Sequence, residues 1–458
     1  MKRFLAVSFI LALTALTLAC GGGTSTTSNG GSGTGSSQGQ VFITGEDAPL
    51  PSVVSFNITI NKITLQSSTS TVTVLSTPTT VDFGRLVGLR SLLGFNTIPA
   101  GQYGSATFTL SNPVISYVNL TQNPPTLSQL NGTLSHSTVT VSFPQPMVVT
   151  ANGLGGLHMD FDLRQSLVTN NGQITGQVNP TIEIMAVSAS QEEGQITEFT
   201  GNVVSTTPAS NTFTMQGPYG FQEVIDVNSS TQFNSGYNIG TIPAQSIVSV
   251  EGDVQDDGSI LAQYVEVVST DKAFISGRIL QVNPTTGPVQ TVTMFVGEEL
   301  NTDNVIPVDS VQTINLSGIT QYGVCFFDNW FTNILFNGSS MVVGQRIFIG
   351  GTVNNNTFTP SMVSLRRQGT IGNLVANSVD VVNNNQGNFE LSNNGLLEFS
   401  ANGPFTVQTG NQTLFLNVDG LSGLSSAGSA NILARGIVLK DQTTGLPQMW
   451  AHRVRVLP

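Results

Sequence analysis

Phe199-Thr200-Gly201-Asn202-Val203, Val248-Ser249-Val250-Glu251-Gly252-Asp253-Val254 and Ala262-Gln263-Tyr264-Val265-Glu266-Val267 are the runs whose reading decides the fold. Apolar and polar residues alternate along them, which is the period of a strand with one buried face. With their neighbours they make five strand-like runs, at 199–205, 212–216, 221–227, 247–254 and 260–268. Five short strands that close on themselves are the pattern of a small OB-like barrel. Asp256-Asp257-Gly258 supplies the turn between the last two, because glycine admits the backbone a tight turn needs.

A weaker version of this unit follows twice. The second opens at Ile275-Ser276-Gly277-Arg278-Ile279 and closes at Ile349-Gly350-Gly351-Thr352-Val353 and Ser361-Met362-Val363. The third opens at Gly369-Thr370-Ile371 and closes at Ala434-Arg435-Gly436-Ile437-Val438 and Ala451-His452-Arg453-Val454. The opening glycines, Gly201, Gly277 and Gly369, are then 76 and 92 residues apart. The units run over 196–270, 273–366 and 367–458, and their length differences fall mid-unit, where loops tolerate insertion. The first unit resembles a small repeated family of bacterial lipoproteins, the domain of unknown function 5666. The other two read as degenerate copies of it, with one such unit followed by an unrelated β-domain as the alternative.

Residues 41–190 alternate as strongly. Val54, Phe56, Ile58 and Ile60 form one inward row, and the phase slips near Lys62 to Ile63 and Leu65, as a β-bulge would cause. Further rows are Ala106, Phe108 and Leu110, then Val139, Val141 and Phe143, then Leu157, Met159, Phe161 and Leu163, and finally Ile182, Ile184 and Ala186. Turn residues separate them, which predicts an antiparallel β-sandwich. One short helix is expected at 83–95, where Leu86, Leu89 and Leu93 share a face. Pro99-Ala100-Gly101 reads as a turn that uses glycine's tolerance of positive φ. Asp47-Ala48-Pro49, Val81-Asp82-Phe83, Ile98-Pro99-Ala100-Gly101-Gln102-Tyr103, Met159-Asp160-Phe161-Asp162-Leu163 and Asn179-Pro180-Thr181-Ile182 occur in this order. These landmarks resemble the domain of unknown function 4382. The resemblance implies a secreted or envelope β-domain and carries no catalytic residue.

The N-terminus reads as an address. Lys2 and Arg3 precede the apolar run 4–19, which is short for a bilayer span and suits a signal peptide. It ends Leu16-Thr17-Leu18-Ala19-Cys20-Gly21, which resembles the lipobox of bacterial lipoproteins, departing from it at Thr17, where the family carries leucine. The resemblance implies residues 1–20 as signal peptide with lipobox, a diacylglyceryl group on Cys20 and cleavage before it. Ordinary cleavage and secretion is the alternative. Residues 21–40 hold no apolar and no charged side chain, so they read as a flexible tether with a reach of about 25 Å.

Only 9% of the 458 residues are charged and the net charge is −12. Such a chain has no basic patch for nucleic acid or for anionic lipid. It has two cysteines, so a lipidated Cys20 leaves Cys325 without an intrachain partner.

Candidate chemistry is sparse. His158, Asp160 and Asp162 project from one face of a predicted strand, as a metal or acid–base site would require. We read them instead as the polar, water-facing side of a sheet, because strand neighbours at this spacing diverge. Phe326, Phe327, Trp330 and Phe331 cluster beside Cys325 in the largest mid-unit insertion. They are either a platform for a sugar ring or a partner protein, or a hydrophobic plug over a barrel end. Gly35-Ser36-Ser37-Gln38-Gly39 matches a nucleophile motif by letter but lies in the tether, without the strand and helix the motif needs. The acidic pairs Glu46-Asp47, Glu192-Glu193, Asp256-Asp257 and Glu298-Glu299 lack calcium-loop spacing and read as solvated turns.

The sequence therefore predicts an all-β protein, a sandwich followed by two or three OB-like modules, strung out with polar residues facing water and rarely converging. It predicts no catalytic residue, metal or cofactor. The expected location is the bacterial envelope, at the outer membrane or cell surface ahead of the inner membrane, with lipidated Cys20 as the anchor. The expected role is a non-enzymatic structural or binding module with polysaccharide or envelope protein as partner. Carbohydrate binding around Trp330 is the alternative, and a hydrolase built on His158, Asp160 or Asp162 a third.

Overall fold

Two sheets face each other over residues 38–187 in a computed structural model that describes residues 37–457 apart from 49, 51–52, 120–125, 171–172, 218–221, 235, 326–334 and 393–403. The first sheet orders its strands Ile182–Val187, Leu154–Asp162, Gln38–Ala48, Ser91–Pro99. The second is built around the long pair Val53–Gln66 and Gly101–Asn119. Phe56 and Phe83 meet Phe161 between them, with ring centroids 5.2 and 5.0 Å apart. The predicted phase slip is a break in register between Ile60 and Lys62. Pairing is antiparallel in the main, but Gln38–Ala48 runs parallel to Leu154–Asp162.

The helix expected at 83–95 does not form. One 3-10 turn, Phe83–Arg85, stands in its place, and Leu93 lies in the strand Ser91–Pro99. The leucine spacing suits a helix, but glycine at 84, 88 and 94 disfavours one, and Gly88 takes a φ of +74°. Pairing of Ser91–Pro99 with Gln38–Ala48 then wins. The corner at Ala100 also differs from expectation. Gly101 is not among the residues of positive φ, and nothing lies within 4 Å of where its Cβ would stand. Tyr103 ties the corner instead, its hydroxyl donating to the Pro99 carbonyl at 2.6 Å.

Residues 196–269 fold as strands Ile196–Thr207, Thr212–Gln216, Gln222–Asp226, Ile247–Val254 and Ile260–Ser269, with the short Gln232–Phe233 beside the last. The first strand pairs with the second and the fourth, and the third pairs in parallel with the fifth. The five close into a barrel of order 1-2-3-5-4, which is the OB arrangement. Strands Gln368–Leu374, Gln386–Ser392, Phe405–Leu416, Asn431–Lys440 and Pro447–Val456 repeat that order and its parallel third–fifth pair. In 273–365 the third strand is split. Ser310–Asn315 stays with Thr291–Leu300, and Gln321–Val324 joins Thr357–Leu365.

The three sheets agree residue by residue at one kink. Gly201, Gly277 and Gly372 on the first strands face Val248, Ile347 and Ile432 on the fourth. Four residues after each of those partners stands a glycine, Gly252, Gly351 and Gly436, at a break in register. A Cβ there would collide with the backbone carbonyl of Leu261, Thr359 or Trp450 on the fifth strand, so only glycine fits the bulge. The third opening glycine is therefore Gly372. Gly369 does another job, donating its N–H to the Val87 carbonyl of the sandwich at 3.3 Å.

The modules are not strung out. The three sheets are joined by residues 270–272 and by Arg366-Arg367. Phe42, Leu92, Phe95 and Met185 of the sandwich share a core with Val248 and Val250 of the first barrel. Val54 and Val118 pack with Leu280 and Phe295 of the second sheet, and Ile437 and Trp450 of the third sheet join the second sheet's core. Residues 37–458 form one compact unit.

Candidate functional site

Alternation along Gln38–Ala48 sends Val41 and Ile43 into the sandwich core and leaves Phe42, Thr44 and Glu46 on the other face. The C-terminal modules cover that face, so its polar residues do not meet water. Thr44 is fully buried, and His158 and Glu46 are each 3% exposed. The Thr44 hydroxyl donates to the Glu193 carbonyl at 3.1 Å and lies 3.0 Å from His158 Nδ1. Its one hydrogen is thereby used, so Nδ1 of His158 is the donor to Thr44.

Around this face the ionisable groups of all four modules converge. Glu46 pairs with Arg435, and Arg90 approaches Glu46 and Glu192 at 3.9 Å each. Arg453 holds Glu192 and Glu193 at 2.5 and 3.0 Å. Next to it, Arg366 bridges Glu198 at 3.1 Å and Glu266 at 2.8 Å. Arg346 reaches Glu198 and Glu298, Arg85 pairs with Glu298, and Arg367 meets Glu251 at 3.2 Å. Most of the acids come from the sandwich and first barrel, and most of the arginines from the second and third sheets. The expectation that polar residues rarely converge is thus overturned. The acidic pairs Glu46-Asp47 and Glu192-Glu193 and the acid Glu298 are not solvated turns either, since Glu46, Asp47 and Glu298 are buried and both Glu192 and Glu193 are ion-paired.

Electrostatics follow from the packing. Burial, then Arg90, Arg455 and Arg453, lowers His158 to about 3, and burial with Arg367 and Arg435 holds His452 well below its ordinary range. Both imidazoles are neutral. Burial opposes the charge on Arg366, but Glu266 and Glu198 outweigh it and raise its pKa. Burial works against the Glu198 carboxylate too, yet Arg366, Arg346 and Arg367 bring it below the ordinary value. Buried pairs of this kind add little net stability, but deleting one partner costs about 3–5 kcal/mol. They therefore penalise any arrangement that separates the modules.

Two cavities border the cluster. One of about 210 Å³ is polar and is lined by Arg90, Glu192, Glu251, Tyr264, Arg367 and Arg435, among others. The other, about 270 Å³, lies between sandwich and first barrel, with Leu89, Leu92, Phe95 and Phe199 beside Asp82 and Glu223.

The sequence candidates fare differently. His158 and Asp162 do not act together. Asp162 caps the turn Leu163–Ser166, accepting from the Gln165 N–H at 2.9 Å, while His158 faces Thr44. Among the described residues no grouping of three His, Cys, Asp or Glu side chains suits a metal ion. Phe326, Phe327, Trp330 and Phe331 lie outside the described residues, as does Cys20. Cys325 is a free, buried thiol, pushed up to about 12 by burial. The arginines were missed by the sequence reading. The adjacent pair Arg366-Arg367 at a module boundary, in so uncharged a chain, was the available signal.

Asp82 and Asp47, which stand in two of the sandwich landmarks, also prove structural. Asp82 accepts from the Phe56 N–H at 2.8 Å, and burial lifts its carboxyl to about 6. Asp47 is fully buried, accepts from the Leu163 N–H at 3.3 Å and is raised well above the ordinary range by burial and by Asp160. Residues 38–176 match the model of the family described as Domain of unknown function (DUF4382). The N-terminal domain is thereby matched to that family, over a span that holds four of the five landmarks and stops short of Asn179-Pro180-Thr181-Ile182. No curated protein and no solved structure matches the chain.

Proposed function

We propose that the chain is a lipid-anchored protein of the bacterial cell envelope that works as a non-enzymatic structural or binding module. The observation that carries this reading is where the reactive side chains sit. His158 and Cys325 are buried in the packing and His452 is half-buried at the polar cavity, the histidines neutral among arginines and the thiol far from its nucleophilic form. Groups so placed serve the assembly of the modules better than they serve a substrate. The apolar run 4–19 and Cys20 support attachment to a membrane through lipid. No helix among the described residues is long and apolar enough to cross one. The shared strand order and bulge glycines support the finer reading that the three C-terminal sheets are copies of one unit like the domain of unknown function 5666.

Growth with radiolabelled palmitate tests the anchor. The chain should take up label, and a Cys20→Ala variant should lose it and leave the membrane fraction. An unlabelled chain, with the variant still in the membrane fraction, sinks the proposal.

A further inference from the structure

The polar cavity carries an inference that goes beyond the envelope reading and does not depend on it. Charges around it are unequally matched. Arg367 is engaged by Glu251 and Glu192 by Arg453. Arg90 keeps 3.9 Å from its nearest carboxylates, beyond hydrogen-bond reach, and spends its Nε–H on the Gln195 carbonyl. Arg435 pairs with Glu46, yet its buried Nε–H has no acceptor. An arginine whose side chain is 3% exposed and keeps an unmet donor bears a desolvation cost, and Arg435 lines the cavity. Burial and the neighbouring Arg453 and Arg455 further disfavour its charge, so added negative charge is welcome there. The cavity holds about 210 Å³, several times the roughly 30 Å³ of one water.

We propose that this cavity, at the meeting of the sandwich with the first and third barrels, binds a small oxyanion of phosphate or carboxylate type between Arg90 and Arg435. Guanidinium groups suit such ligands because their N–H donors match paired oxygens. The ligand would lock three modules together from inside.

Isothermal titration of the full chain with inorganic phosphate, at ionic strength held constant with chloride, is the test. Wild type should bind one equivalent saturably, and its melting temperature should rise with phosphate. Arg435→Gln should weaken binding at least tenfold, while Arg164→Gln, outside the cavity, should bind as wild type does. Because Arg435→Gln removes a buried charge and could unfold the chain, Gln195→Glu is the second variant. It sets a carboxylate of the protein's own in the cavity wall and should also weaken phosphate at least tenfold. Titrations with succinate and with sulfate separate a carboxylate preference from a phosphate one. Absence of saturable binding for all three anions, or unchanged affinity in a folded Gln195→Glu, overturns the proposal.

Discussion

His158 shows how one residue records its surroundings. Its pKa falls from 6.5 to about 3, so between those values the unfolded chain binds a proton that the folded chain refuses. The stability tied to neutral His158 is complete above pH 6.5 and drains as the pH falls toward 3, by up to about 1.4 kcal/mol per unit. Asp82 works in the opposite sense. Its carboxyl is raised from 3.8 to about 6, so the folded chain holds the extra proton in that window, and stability falls as pH rises through it. Urea unfolding between pH 4.5 and 7.5 separates the two. His158→Gln should flatten the acid-side loss, and Asp82→Asn should remove the opposing loss between pH 4.5 and 6. A His158→Gln profile parallel to wild type would count against a buried, neutral imidazole.

At the scale of elements, the strands were legible because their alternation is local. The phase slip at Lys62, the five runs from 199 to 268 and the sandwich rows could be read without knowing any long-range contact. What failed were the places where a residue answers to a distant partner. Leu86, Leu89 and Leu93 carry helical spacing, but Gln38–Ala48 claims Leu93 by pairing with Ser91–Pro99. Gly369 looked like a repeat landmark, while register gives that place to Gly372. The bulge glycines make a sharp test. Gly436→Ala drives a Cβ into the Trp450 carbonyl, and Gly101→Ala enters open space. Chemical denaturation should show a loss of about 1–3 kcal/mol for the first and almost none for the second. Equal losses would mean that the bulge does not need glycine.

For the whole molecule, the sequence left the charge cluster unreadable for a physical reason. Alternation says that Thr44, Glu46 and His158 share a face, but not whether water or another module covers it. Here the covering modules begin at Ile196, well past Thr44 and Glu46, and their arginines arrive from strands that alternation alone cannot dock. Glu46 with Arg435, Glu198 with Arg366 and Glu192 with Arg453 each join segments far apart in sequence. The central claim is that these pairs, with the shared apolar cores, hold sandwich and barrels as one body. Small-angle X-ray scattering on residues 37–458 measures this directly. A compact body of that length should give a radius of gyration of about 22 Å, unchanged between low and physiological salt because buried pairs are weakly screened. A value above about 30 Å, as modules on flexible joints would give, would contradict it.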